Sequence, residues 1–437
     1  MKRWKALLTG ALIGCMAWTG VQAEERLCVT AENCAALLSA DGQEIVAPGK
    51  YDDVYCVMDG ERYALGVQTE NGMRYALCDA AGELLTDAGY SMLSASMDVI
   101  LFRQNGLYGA MTPDGQMLLP AAYTQLVAAG DGRFLATETD PFDDDADEIL
   151  LVTVEDGARS TGVRTAMRLQ AISDERMPYR DPASERCGYL DEQGNVAIVP
   201  QYETAGAFEN GAARAASGGA LGVIGTDGAW RIPPEYDYLE IGEGTIAALA
   251  DRRIFVVYES SSCLERFRVE GSGLEAALVG RYPVLLEGEI MSVFTPEGDT
   301  LLQTAADAVL QPGADGQLIL SDGQWGASCA SVIGADGARS GRTDQHLLPL
   351  DSDRYAFIRM NAATYVSDEL NEIRYSCDYE SLRFGMMDSA GHEILPAEFQ
   401  EIRALGSRRY LTVAEDGLRV VDDEGGVLWE CLTASEN

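Results

Sequence analysis

Cys187-Gly188-Tyr189-Leu190-Asp191-Glu192-Gln193-Gly194-Asn195-Val196-Ala197-Ile198-Val199-Pro200-Gln201-Tyr202 is one unit of the pattern that decides the fold. A bulky residue precedes a glycine, two apolar residues follow, and a second glycine stands six positions after the first. A short apolar run then leads to a proline and, soon after, an aromatic. The same order returns in Tyr108-Gly109-Ala110-Met111-Thr112-Pro113-Asp114-Gly115, followed by Met117-Leu118-Leu119-Pro120 and Tyr123. It returns again from Leu221-Gly222 through Gly228 to Pro233 and Tyr236, and from Phe384-Gly385 through Gly391 to Pro396 and Phe399. Leu65-Gly66 to Gly72 keeps the six-residue step, and weaker copies surround Gly42, Gly82, Gly157, Gly298, Gly337 and Gly425.

Each part of the unit has a physical reading. The first glycine opens a short strand and, lacking a side chain there, marks a bulge or the close approach of another element. A D-x-x-G or similar turn reverses the chain, its glycine supplying a positive φ. The apolar run is the returning strand, which the proline ends because it has no N–H for a ladder. The aromatic then packs on the hairpin just made. A single hairpin is marginal in water, so the units must stack to bury their faces. Turn glycines 42, 82, 115, 157, 194 and 228 stand 33 to 42 residues apart, the period of solenoids and propellers. The longer gaps 228–298 and 337–391 suggest one degenerate unit in each. The expected fold is all-β: a repeat array of short antiparallel hairpins, propeller-like and closed, with an open β-solenoid as the alternative. The length suits six or seven blades of four strands with insertions.

This glycine–aromatic hairpin resembles the bacterial WG repeat, named for a Trp-Gly pair that opens a strand. Asp322-Gly323-Gln324-Trp325-Gly326 carries the literal pair, and Tyr202-Glu203-Thr204-Ala205-Gly206-Ala207-Phe208-Glu209-Asn210-Gly211-Ala212 is similar to the family's linker with its Phe and Asn-Gly. In the clear copies Tyr, Cys, Leu or Phe replaces the tryptophan. The resemblance covers about two thirds of the mature chain. It implies a secreted or surface protein, and little about activity.

The first residues read as a targeting segment. Lys2, Arg3 and Lys5 precede the apolar stretch Ala6 to Gly20, and Val21-Gln22-Ala23 offers small residues for signal peptidase. Residues 1–23 are therefore expected to be a signal peptide, and 24–437 one WG-like β-repeat domain with an acidic loop at 137–148 and insertions at about 166–186 and 361–381. A second reading stays open: Leu12-Ile13-Gly14-Cys15 has the form of a lipobox, in which Cys15 would be lipidated. Both readings place the protein outside the cytosol, secreted or lipid-anchored at the cell surface. No later stretch is long and apolar enough for a transmembrane span.

The net charge is −38, and losing the three leader cations takes it to −41. Such a charge disfavours nucleic acid and anionic membrane surfaces as partners. Hydrophobic residues at 47% and charged residues at 23% nonetheless match a packed globular chain. Lys50 is the only lysine after the leader; this arginine bias reads as genome composition more than mechanism. Nine cysteines follow Cys15 without a C-x-x-C pair, which argues against zinc ribbons and thioredoxin-like chemistry. Cys28/Cys34 and Cys56/Cys78 are nearest in sequence, but the cysteines of so large a chain are expected to act mainly as small buried hydrophobes.

No catalytic constellation emerges. His346 and His392 are the only histidines: His392 falls in a repeat turn and His346 in a polar segment, and neither adjoins a nucleophile motif. Asp191, Asp227 and Asp388 occupy turn positions, where turn geometry explains them better than acid–base work. The run Asp143-Asp144-Asp145-Ala146-Asp147-Glu148 reads as a solvated loop. Asp143, Asp145, Asp147 and Glu148 are a weak Ca²⁺ candidate without the glycine or the closing glutamate of an EF-hand. Trp230, Trp325 and Trp429 lie in repeat strands and are expected to pack more than to form a ligand platform. The chain thus reads as a non-enzymatic, cofactor-free binding or scaffold protein for a protein or glycan ligand, with its ligand face built from the insertions. Two rivals are a secreted polysaccharide hydrolase or lyase using a carboxylate pair and a Ca²⁺-dependent adhesion module.

Overall fold

The computed structural model describes residues 26–432 apart from 32–33, 59, 131, 139–147, 156–157, 166–173, 182, 192–193, 323–328, 344–345, 352 and 368–371. Among these residues the regular elements are strands, arranged in eleven small antiparallel sheets. Every sheet is a meander whose strands, here called a to d, follow chain order from one edge to the other. Blade 6 shows the plan: a Thr204–Ala205, b Ala212–Ser217, c Ala220–Gly225, d Trp230–Tyr236. Blade 11 repeats it with Glu401–Gly406, Arg409–Ala414, Gly417–Asp422 and Val427–Leu432. In blade 1 the described strands are b Arg26–Ala31, c Cys34–Ser39 and d Glu44–Tyr51. Strand Arg26–Ala31 lies against the a strands of both blade 2 (Asp53–Met58) and blade 11, so the array closes into a ring.

The closed propeller is therefore the observed architecture, but with eleven blades rather than six or seven. Each turn glycine counted along the sequence belongs to a blade of its own; Gly157 itself lies outside the described residues. The gap 228–298 hides blade 7 (238–270), whose c–d turn uses Cys263 at φ 55 in place of glycine. The gap 337–391 hides no blade. A long hairpin within blade 10 fills it.

The repeat pattern explains the strands, with two corrections. The d strand does not stop at its proline: Trp230–Tyr236 runs through Pro233 and Pro234. Its register against strand c shifts between Val223↔Ile232 and Leu221↔Tyr236, which marks a bulge. Proline is tolerated because d is the outermost strand, where a missing donor faces solvent and deters edge pairing. The bulge also explains the first glycine. A Cβ on Gly222 would lie 2.6 Å from Ile232 O and 2.8 Å from Pro234 N, and one on Gly188 would lie 2.4 Å from Ile198 O.

The second correction concerns the aromatic, which reaches forward to the next blade. Tyr202 of blade 5 stands edge-on to Trp230 of blade 6, ring centroids 5.5 Å apart, and its hydroxyl donates to Gly228 O.

The hydrophobic cores sit between blades, because each strand alternates its side chains between two neighbours. In blade 1, Leu27, Val29, Cys34, Ala36 and Leu38 pack on Leu411, Leu418, Val420 and Trp429 of blade 11. Cys28, Ala35 and Leu37 point the other way, onto Val54, Tyr63, Leu65 and Cys78 of blade 2. Two contacts recur at these boundaries. The c–d turn glycine of one blade seats on the d segment of the preceding blade: a Cβ would meet Ile198 from Gly228 (2.8 Å), Phe267 from Gly298 (2.9 Å) and Leu301 O from Gly337 (2.5 Å). In addition, an arginine at or just before the start of strand b donates forward to the next blade's turn. Arg26 Nε reaches Ala80 O (3.1 Å), Arg62 Nε reaches Pro113 O (2.6 Å) and Arg176 Nε reaches Thr226 O (3.4 Å). Arg354 Nε reaches Asp423 O (3.1 Å) and Arg409 Nε, in blade 11, reaches Ala40 O of blade 1 (3.1 Å). Each acceptor stands two residues before a turn glycine. These arginines have a mechanical role that composition bias does not describe.

Candidate ligand face

Because the blades are meanders, a–b and c–d connections emerge on one face of the ring, and b–c and d–a connections on the other. The first face carries the turn glycines and the arginine forks, and it is occupied by contacts between blades. Its acidic residues are turn formers. Asp191 Oδ1 accepts from Asn195 N (2.7 Å), Asp227 Oδ1 from Ala229 N (3.0 Å) and Asp388 Oδ1 from His392 N (2.8 Å). His392 is exposed in the same turn, its Nδ1 2.8 Å from Asp388 Oδ2. The turn reading of all four residues holds.

The opposite face carries the departures from the plan. Strands b and c are six residues each in blade 11 but 14 (Arg354–Ser367) and 17 (Glu372–Asp388) in blade 10. They pair from Arg354↔Asp388 to Ser367↔Glu372 with one irregularity between Arg359 and Asn361. The eight extra residues of strand b carry the hairpin about 25 Å beyond a standard blade. The insertion expected at about 361–381 is thus a regular two-stranded arm rather than an irregular piece. In blade 5 the b–c connection runs from Arg180 to Cys187. There Asp181 accepts from Ser184 N (2.9 Å) and from Ser184 Oγ, bonds that lower its pKa below the ordinary carboxylate value. Thr137 and Glu148, which flank the acidic loop, are the facing ends of strands b and c of blade 4, and so lie at this same face. Asp143, Asp145 and Asp147 lie outside the described residues, as do Cys15, Trp325 and residues 166–173; of Glu148 only the backbone is described. Among the described residues no group of three or more His, Cys, Asp and Glu is placed to hold a metal ion.

Acidic residues on this face also include a set that sequence reasoning passed over. Asp52 Oδ2 accepts from Gln68 N (2.7 Å), Asp237 Oδ2 from Asp251 N (2.6 Å), and Glu203 from Gly218 N (3.1 Å) and Gly219 N (2.9 Å). Each follows the d-strand aromatic of one blade directly, as Tyr51-Asp52, Tyr202-Glu203 and Tyr236-Asp237, and caps the b–c turn of the next blade. That aromatic–acid pair is the signal that could have found them. Hydrogen bonds from the Gly219 and Gly218 amides hold the Glu203 carboxyl below its usual value despite some desolvation, with Arg186 adding to the effect.

The remaining candidates are structural. Trp429 is buried at the blade 11–blade 1 boundary and donates from Nε1 to Glu44 Oε1 (2.9 Å). Trp230 packs under Tyr202. His346 is half-buried beside strand Leu347–Asp351, where burial lowers its pKa, and its carbonyl accepts from Ile358 N (3.1 Å).

Residues 188–219 and 222–248 match the family model described as WG containing repeat. Each match runs from strand c of one blade into strand b of the next, so the sequence repeat is offset from the structural blade and spans a boundary. Among solved structures, BamB from Moraxella catarrhalis is similar at 12% identity over 60% of this chain and 86% of that one, with a TM-score of 0.29. Dihydro-heme d1 dehydrogenase NirN in complex with DHE is 11% identical over 76% and 75%, with a TM-score of 0.32. Apo AztD from Citrobacter koseri is 12% identical over 73% and 94%, with a TM-score of 0.30. Overlaps this loose carry nothing about activity from those proteins to this one. A search of curated proteins finds no match.

Proposed function

From the premise that this chain is a WG-repeat protein folded as a propeller, we propose that it is a non-enzymatic binding scaffold acting outside the cytosol. Its ligand, a protein or a glycan, engages the face that carries the blade 10 arm. The observation that carries this reading is the concentration of non-repeat chain on one face: the arm, the blade 5 connection and the ends of the acidic loop all emerge there, while the other face is used up in holding blades together. Loops that a rigid scaffold holds out from its repeat plan are where binding concentrates. The apolar leader supports export, and Glu24 or a lipidated Cys15 is the mature N-terminus that follows from it.

The test is binding by the full mature protein to glycan arrays and to envelope extracts, beside a variant in which residues 361–381 are replaced by a two-residue turn. The arm stands beyond the blade cores, so the variant should melt within a few degrees of the parent and lose the captured ligand. Unchanged capture would remove the arm from the site. Release of reducing ends from a polysaccharide by the purified protein would replace the scaffold reading with a hydrolytic one, and calcium-dependent melting would favour the adhesion reading.

A further inference from the structure

Among the described residues, ring closure is not secured by a strand shared between the first and last blades. Blade 11 is built wholly from residues 401–432 and the described strands of blade 1 wholly from residues 26–51, so no described strand is shared across the seam. Everywhere else the chain itself crosses the boundary. Terminal segments are also where opening begins.

The cysteines nearest in sequence cannot secure it. Cys28 pairs with Leu37 and Cys34 with Ala31 on the same hairpin. They are three rows, about 10 Å, apart along the strands and point to opposite faces. Cys56 and Cys78 flank Tyr63 in one row, paired to it from either side, and so stand two strand spacings or about 9.5 Å apart. A disulfide needs Cα atoms within about 7 Å. Cys34, by contrast, is buried on the face of blade 1 that meets blade 11. Cys431 pairs with Leu418 and packs half-buried into that same cluster. The two thiols thus lie in one cluster that spans the seam, Cys34 from blade 1 and Cys431 from blade 11.

We propose that Cys34 and Cys431 form a disulfide that locks the first blade to the last once the protein is exported to an oxidising compartment. The oxidant is a protein or small-molecule disulfide. The half-exposed Cys431 thiolate attacks it, forming a mixed disulfide and releasing one thiol. Cys34 then gives up its proton to solvent and attacks the Cys431 sulfur, and the second thiol leaves. Two protein thiols are oxidised by two electrons and one external disulfide is reduced to two thiols. Cys34 is buried whereas Cys431 is partly exposed, so Cys431 meets the oxidant first and Cys34 resolves the mixed disulfide. Burial, followed by the neighbouring Cys431, raises the Cys34 pKa in the same sense.

The experiment uses the full mature chain, reduced and then exposed to oxidised glutathione, with free thiols alkylated before denaturation. Peptide mapping by mass spectrometry should show a cross-link between the peptides holding Cys34 and Cys431. The oxidised, denatured chain should run faster than the reduced one on a non-reducing gel, because the cross-link closes almost the whole described length into a loop. Cys34→Ser and Cys431→Ser should each abolish the mobility shift, while Cys56→Ser leaves it intact. Wild-type protein whose Cys34 and Cys431 are both alkylated after oxidation would overturn the proposal, whatever the variants do. So would a map that joins Cys34 or Cys431 to another cysteine, such as Cys28 or Cys78.

Discussion

The boundary between blades 5 and 6 and the seam between blades 11 and 1 use the same parts in different circumstances. At the first, Gly228 seats on Ile198, Arg176 reaches the carbonyl of Thr226, and Tyr202 packs on Trp230. At the second, Gly42 seats on Leu428, with a would-be Cβ 2.7 Å from its carbonyl oxygen. There Arg409 reaches Ala40, and Trp429 lies buried against blade 1. The chain crosses the first boundary and not the second. The contact set of the repeat is thus sufficient to join blades without covalent continuity, which is the condition for a ring to close.

The largest expected effect comes from Trp429→Ala. Removing this buried ring leaves a cavity at the seam and strips Glu44 of its indole donor, a loss of about 3 kcal/mol. Hydrogen exchange in the variant should rise first in residues 26–51 and 401–432. Trp230→Ala, at a boundary that the chain itself spans, should cost less and loosen only its neighbours. Exchange that rises evenly around the ring after Trp429→Ala would show that the seam is no weaker than the rest. Next come the turn glycines. Gly42→Ala forces a side chain onto a backbone oxygen at φ 87, whereas Gly228→Ala at φ 76 meets a side-chain methyl that can shift. Expected losses are about 2–3 and about 1–2 kcal/mol, read from urea midpoints. Equal midpoints would erase the distinction.

The arginine forks come third. Arg62→Ala and Arg409→Ala should each cost about 1–2 kcal/mol, with little rescue by lysine, which cannot match the planar fork. Full rescue of Arg409 by lysine would reduce the fork to a point charge. Smallest is the turn carboxylate of blade 10. Burial raises the Asp388 pKa, but bonds from the His392 amide and ring and the Ala390 amide outweigh it and leave the value lowered. Its contribution is therefore present above the ordinary carboxylate pKa and fades as pH falls through the lowered folded value. Asp388→Asn should remove that acid dependence from the 388–392 turn in pH-dependent exchange, at a cost of about 1 kcal/mol.

Much of this architecture was readable from the glycines. Gly188, Gly222 and Gly194 are fixed by steric facts that any copy of the unit must satisfy, so period and strand type followed from spacing alone. The blade number was missed because it was taken from chain length and not from the turn glycines, which mark one blade each. The glycines themselves mislead only where blade 7 turns on Cys263 and where an arm lengthens the spacing 337–391. Both disguise a constant unit as a broken one. The proline was misread for a related reason: its cost depends on whether the strand is central or outermost, and that is settled only when sheets are arranged. The interblade arginines were hidden by distance in sequence, although the pairs Arg62-Tyr63, Arg354-Tyr355 and Arg409-Tyr410 repeat openly. Of the candidate face, the position of the 361–381 insertion was visible as a break in the repeat. Its form as a paired arm needed the register of Arg354–Ser367 on Glu372–Asp388.

Face-on class averages of the full mature protein by electron cryo-microscopy test the central claim most directly. The account predicts an unbroken ring of eleven radial densities with one protrusion on a single face, from blade 10. An open crescent, a rod of stacked hairpins or a ring with another number of blades would contradict it.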